Sequence, residues 1–205
     1  MTTIKDRVIR RIKGLGNGCV FTPKDLLEVS SRGMVDMTLK QLVASGMLHR
    51  IGRGLYHYPK TSSLLSTALT PDIDAVAQAV ARRFRWHIVP SGAHAANLLG
   101  LSTQVPAKAV YLSDGPTKTV KLGNRDLLFK HARPKDLGAD ADASSAIVIQ
   151  ALRHLGKDAV GPETIELLRE RIPEKARRRL LADARYASDW IYLAAQAVAG
   201  KGARR

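Results

Sequence analysis

A chain of 205 residues, 45% hydrophobic and 25% charged, has the composition of a folded globular protein and the length to bury a core as one large domain or two small ones. Its 33 Lys and Arg against 18 Asp and Glu give a net charge of +15 and a pI near 10.4. That balance favours a polyanionic partner, because each phosphate neutralised by a cation releases condensed counterions. The single cysteine, Cys19, excludes an intramolecular disulfide and a cysteine-based zinc site. The opening MTTIKDRVIRRI lacks the apolar core of a secretory leader, and no run of about eighteen apolar residues occurs, so a cytoplasmic protein without a membrane span is expected.

Ile4, Val8, Ile9, Ile12 and Leu15 recur at helical spacing and predict a first helix, broken by the Gly14–Gly18 segment. Val20 and Phe21 form a short apolar edge. Thr22-Pro23 then signals a helix start, with Thr22 as cap, Asp25 three residues on where its charge meets the positive helix end, and Leu26, Leu27 and Val29 facing inward. Ser30-Ser31 leads into a second helix with Val35, Leu39, Leu42 and Val43 on one stripe, stopped by Gly46. At 100° per residue the opposite face carries Met37, Lys40, Gln41 and Ala44, with Gly33 near its start. Leu48 to Ile51 and Leu55 to Tyr58 alternate like paired strands around Gly52-Arg53-Gly54, a turn with a cation at its tip. Two helices joined by a tight turn and followed by a basic hairpin are the order of a winged helix-turn-helix, whose second helix enters the DNA major groove.

Residues 60–70 are small and polar and read as a linker. Thr70-Pro71-Asp72 repeats the cap-and-proline start for a helix running to Phe84. A strand over Trp86–Val89, a helix over Ala93–Leu99 capped by Ser91, and strands at Ala109–Leu112, Thr119–Leu122 and Leu127–Lys130 predict a β-meander packed on helices. Helices are expected at Ser144–Leu155, Glu163–Arg171, Glu174–Ala184 and Ser188–Val198, followed by a basic tail. The expected class is α+β. A winged helix-turn-helix over residues 1–60 precedes a mixed domain over residues 70–200, with a small antiparallel sheet and a helical C-terminus. Residues 1–60 carry a net +7 and the remainder +8, so the first third is more than twice as basic per residue.

Enzymatic chemistry finds little support. The six histidines have no metal-site spacing. Asp72 and Asp74 are explained by a helix dipole, and Asp140-Ala141-Asp142 lacks the preceding Gly-Ser of a nucleotidyltransferase. No phosphate-cradling glycine loop occurs. No catalytic residue, metal or cofactor is expected. Lys24, Ser31, Arg32, Met37, Lys40, Gln41, Arg50, Arg53, Tyr56 and Lys60 are the expected DNA contacts. Arg50, Arg53, Lys60 and Lys24 would grip phosphates, while Arg32, Lys40 and Gln41 would reach the groove. Lys175, Arg177, Arg178 and Arg179 form a second basic cluster that could face an anionic partner. Trp190 and Tyr192 are expected to anchor the core.

The runs VFTPKDLL, SSRGMVDMTLKQLVASGMLHRIGRGLYHYP, HIVPSGAHAANLLGLSTQVP and AVYLSDGPTKTVKLGNRDLLFKHARP together resemble the AbiEi family, antitoxins of type IV toxin–antitoxin systems. The resemblance covers residues 1–135 well and the helical remainder loosely. It implies an N-terminal winged helix that represses the antitoxin's own promoter at inverted repeats, through the Ser31–Ser45 helix and the Arg50–Tyr56 wing. It also implies a second domain that counters a co-transcribed nucleotidyltransferase toxin, by direct capture or by action on the toxin's target or product. A ligand-responsive winged-helix regulator without a toxin partner is the alternative reading of the same residues.

Overall fold

The computed structural model describes residues 3–60, 69–104, 108–123, 125–138 and 141–200. It is a mixed α+β chain with two small sheets, and it divides into two compact units: Met1–Trp86 with Val120–Leu127, and His87–Thr119 with Leu128–Arg205. Among the described residues no helix is long and apolar enough to cross a membrane.

The first unit opens with α1 (Ile4–Gly14). Its start is fixed by a reciprocal box in which the Asp6 amide donates to Thr3 Oγ1 at 3.1 Å and the Thr3 amide donates to Asp6 Oδ2 at 3.0 Å. After β1 (Val20–Phe21), the chain makes a 3-10 turn at Pro23–Leu26 and then α2 (Arg32–Ala44). The strands β2 (His49–Gly52) and β3 (Leu55–His57) complete a three-stranded antiparallel sheet ordered β1-β3-β2, with Arg50 opposite Tyr56. Val8, Ile12, Phe21, Leu26, Val35, Leu39, Leu42 and Leu48 form its core, and fully burying each such side chain contributes about 1.5–3 kcal/mol. Cys19 packs half-buried against this core, and burial pushes its thiol above the ordinary value.

The helix expected after Thr22 is a correction. Pro23–Leu26 makes a single 3-10 turn; of the residues predicted to face inward, Leu26 is buried and Val29 half-buried, while Leu27 is 45% exposed. The local hydrogen bonds explain the difference: Asp25, Leu27 and Val29 each donate to the carbonyl three residues back, so no four-residue ladder forms. Asp25 does hold the entry, accepting from the Thr22 amide at 2.8 Å and the Thr22 hydroxyl at 3.1 Å.

Residues 61–68 of the proposed linker lie outside the described residues, but α3 (Ile73–Phe84) belongs to the first unit. Asp72, rather than Thr70, caps it, accepting from the Asp74 amide at 2.9 Å. The C-terminal turn of α3 is tied down by Arg82, which donates to the Val20 carbonyl at 3.1 Å and lies 3.6 Å from Asp25. Arg85 then ends the helix in the left-handed region at φ 58°, and Phe84 stacks on Trp86 at 4.7 Å.

In the second unit, β4 (Ile88–Pro90) leads into α4 (Gly92–Leu98). The strands β5 (Ala109–Ser113), β6 (Lys118–Leu122) and β7 (Arg125–His131) follow in the chain, with Val120–Leu127 counted in the first unit. The sheet order is β4-β5-β7-β6, and β4 pairs antiparallel with β5. A meander would put β6 between its neighbours in sequence; instead β7 takes the inner position. The reason is in the side chains: β7 carries the fully buried Leu127 and Phe129, whereas Lys118, Thr119 and Lys121 of β6 are exposed and suit an edge. After the short α5 (Pro134–Leu137), the four expected C-terminal helices appear as α6 (Ala143–Leu155), α7 (Pro162–Arg171), α8 (Glu174–Asp183) and α9 (Asp189–Val198). Their core joins Leu152, Leu168, Leu180, Ile191 and Val198, with Trp190 and Tyr192 packed against it. The basic tail after Gly200 lies outside the described residues.

Candidate nucleic-acid interface

The sequence of α2 has one apolar stripe, and the fold buries it through Val35, Thr38, Leu39 and Leu42. Thr38 is admitted to that face because its hydroxyl donates to the Met34 carbonyl at 2.8 Å. The opposite side is therefore outward, and Ser31, Arg32, Met37, Lys40, Gln41 and Ala44 are all exposed there, Met37 by 50%.

Beside that helix, the β2–β3 hairpin turns through Arg53-Gly54. Gly54 sits at φ +69° and leaves room for a guanidinium: a Cβ placed there would lie 3.1 Å from an Arg83 nitrogen. That arginine, on the last turn of α3, donates from Nη1 to the Arg53 carbonyl at 2.6 Å, and its own carbonyl accepts from Lys24 Nζ at 3.0 Å. The guanidinium also stands 5.2 Å from the Phe84 ring centroid. The hairpin tip is thus held from its backbone, and the Arg53 side chain stays exposed.

Between these elements lies a groove of about 540 Å³ lined by Pro23, Arg32, Asp36, Lys40, Val43, Arg50, Arg53, Gly54, Tyr56 and Arg83. Its cations outnumber its one carboxylate, and that carboxylate is engaged: Arg32 Nε lies 2.8 Å from Asp36 Oδ2. Lys40, Arg50, Arg53 and Arg83 are left as the local positive charge. Tyr56 is braced from behind by Phe21, with ring centroids 6.0 Å apart and planes 21° apart.

Of the residues expected to contact DNA, Arg32, Lys40, Arg50, Arg53 and Tyr56 are brought together in this groove. Ser31, Met37 and Gln41 lie outside its lining, exposed on or beside α2. Lys24 is turned to the α3 carbonyl, and Lys60 is exposed just beyond β3. Arg83 was missed because its partners are thirty and more residues away; a pair of arginines in the last turn of α3 was the available signal. On the sheet beneath, His49 sits opposite His57, with rings 6.3 Å apart. His57 is buried with Nδ1 unpartnered, and burial, followed by the charge of His49, pushes its imidazole below the ordinary value.

The second basic cluster is only partly assembled. Lys175, Arg178 and Arg179 are exposed on α8, Arg178 paired with Glu174, whereas Arg177 is half-buried with Nε enclosed. The turn at Ser91-Gly92 is largely closed. The Ser91 amide donates to the Val110 carbonyl at 2.8 Å, and a Cβ at Gly92 would lie 2.6 Å from His154 Cβ. The buried His94 has Nε2 at 3.1 Å from the Tyr111 hydroxyl. Among the described residues no three His, Cys, Asp or Glu side chains group as a metal site.

Residues 7–180 match the family described as a family of unknown function (DUF6088), and the chain belongs to that family. No curated protein matches the chain. A solved structure, the crystal structure of RV2827C protein from Mycobacterium tuberculosis, is similar at 16% identity and a TM-score of 0.42, over 95% of this chain and 76% of that one.

Proposed function

We propose that the first unit of this DUF6088 protein is a winged helix-turn-helix that binds duplex DNA. The 3-10 turn at Pro23–Leu26 takes the place of the first helix, α2 is the recognition helix and the β2–β3 hairpin is the wing. The observation that carries the reading is the groove in which Lys40 of α2, Arg50 and Arg53 of the hairpin and Arg83 of α3 converge without an unengaged carboxylate. A solvated helix face would intersperse both signs of charge. Small or polar groups on the outward face of α2 let it approach base edges, while the hairpin cations meet phosphates.

What the contact is for follows from the resemblance to the AbiEi antitoxins. On that reading the chain is the cytoplasmic antitoxin of a type IV toxin–antitoxin system, repressing its own promoter at inverted repeats. Its second domain counters a nucleotidyltransferase toxin encoded beside it.

The test is a binding titration of the full chain against its own upstream DNA and against scrambled duplex, across a range of salt. Lys40→Ala and Gln41→Ala are expected to narrow the gap between the two sequences, by about 1–3 kcal/mol where a base contact is lost. Equal and salt-independent binding by parent and variants would overturn the DNA reading. For the antitoxin role, co-expression with the adjacent nucleotidyltransferase should rescue growth, and the absence of such a neighbouring gene would turn the reading to a ligand-responsive regulator.

A further inference from the structure

Among the described residues of the second unit, Leu98, Leu193 and Tyr186 are large apolar or aromatic side chains left exposed, and Tyr186 is the most exposed of them. At the end of α8 the chain makes a 3-10 turn, Ala184–Tyr186, in which Ala184 is buried and Tyr186 is 96% exposed. A tyrosine ring held in water is unusual, because aromatic side chains bring large apolar area to cores and interfaces. It follows directly on a basic helix face. With Leu180 pointing inward at 1% exposure, a 100° step puts Lys175, Arg178, Arg179 and the small Ala182 on the outward side, and Arg185 is exposed in the turn itself. Glu174 is paired with Arg178, which leaves Lys175, Arg179 and Arg185 as the cations of this face without an ion pair among the described residues, and Asp183 is turned to the Asp142 amide at 3.0 Å.

We propose that this face, formed by Lys175, Arg178, Arg179 and Arg185 with Tyr186 at its end, is a binding site for single-stranded nucleic acid. The cations follow the phosphates and the Tyr186 ring stacks on one unpaired base. Cation-lined surfaces with an exposed aromatic are how sequence-tolerant single-strand sites work, since every base has a π-face to offer. A duplex keeps its bases stacked and cannot use the ring. An acidic protein would use the charge, but protein interfaces are depleted of charged residues at their centre. Here the only uncharged groups on the face are Ala182 and the tyrosine. The inference stands on residues separate from the DNA-reading groove, so either can fail alone.

The experiment uses the full chain carrying Arg50→Ala and Arg53→Ala, which removes two cations of the other polyanion site, and measures anisotropy of short labelled oligothymidylate and oligouridylate. Binding is expected to persist in this background. Tyr186→Ala should weaken it by about fivefold to a hundredfold, while Tyr186→Phe, which keeps the ring, should retain it. Lys175→Ala with Arg179→Ala should lower the salt slope by about 1.4, two phosphates at 0.7 each. All these side chains are exposed, so melting midpoints should match the parent. The two oligonucleotides separate a DNA from an RNA preference; either preference supports the site. Equal binding by Tyr186→Ala and its parent would overturn the proposal. So would displacement of the oligonucleotide by polyglutamate as effectively as by unlabelled single strand, which would mark the face as a docking surface for an acidic protein.

Discussion

The anchoring of the hairpin tip makes two neighbouring arginines separable. Arg53 offers the groove its side chain, but the fold uses its backbone carbonyl, which accepts from Arg83 at 2.6 Å. Arg53→Ala keeps that carbonyl. The variant should melt within about 0.5 kcal/mol of the parent, and on duplex DNA it should lose one phosphate contact, lowering the salt slope by about 0.9. Arg83→Met removes the donor and its contact over the Phe84 ring. A buried charge-assisted bond is worth about 1.5–3 kcal/mol, but this one is partly solvated, so about 1 kcal/mol is the reasonable loss, or a fall of about 2–4 °C in Tm for a chain of this size. If the wing must then be re-ordered on binding, the same energy weakens affinity about fivefold beyond the charge effect. Calorimetry and anisotropy at several salt concentrations read both quantities. If Arg53→Ala destabilises the protein as much as Arg83→Met does, or if Arg83→Met leaves both melting and affinity unchanged, the hairpin is not held by α3 and the argument fails.

Two further outcomes follow from packing and protonation. Because the imidazole of His57 is held below its ordinary value of about 6.5, the unfolded chain binds the proton more readily between the two values. Stability is therefore complete above that range and falls as pH drops through it; urea unfolding at about pH 7.5 and about pH 5.5 should show the loss, and His57→Phe should flatten it. Gly92→Ala would place a methyl 2.6 Å from His154 Cβ and 3.1 Å from the Gln150 carbonyl, so α4 and α6 must separate. Overpacking of that kind costs about 1–3 kcal/mol, readable as a lower Tm, and an unchanged Tm would show that the helices can part freely.

How much of this was legible depended on how local each determinant is. The outward face of α2 followed from 100° steps, and the fold buries the predicted Val35, Leu39 and Leu42. The hairpin followed from alternation around a Gly-Arg-Gly turn. The 3-10 turn at Pro23 did not, because Thr22, Pro23 and Asp25 are the same start signals for a long helix as for a single turn, and what ends it is the failure of Leu27 to find a buried place. The sheet order escaped because sequence shows that strands exist but not which is inner; the greater apolarity of β7 over β6 was the clue. The exposure of Tyr186 was invisible for a similar reason. A tyrosine after an amphipathic helix reads as core until the 3-10 turn is seen to carry it outward.

Net charge was the weakest guide as a total and the best once partners were assigned. Of the cations expected to meet DNA, Arg32 is satisfied by Asp36 and Lys24 by the Arg83 carbonyl. Arg32 is therefore neutralised by its ion pair, while Lys24 keeps its charge but lies outside the groove lining, and substituting either should alter the salt dependence less than substituting Lys40 or Arg50. Arg83 reverses the case: one Nη1 contact holds the hairpin while the rest of its guanidinium lines the groove. One residue therefore sets both the shape of the wing and part of its field. That coupling is the physical reason to count α3 with the proposed DNA-binding unit, and it makes Arg83 a better probe of the proposed function than any cation singled out from the sequence.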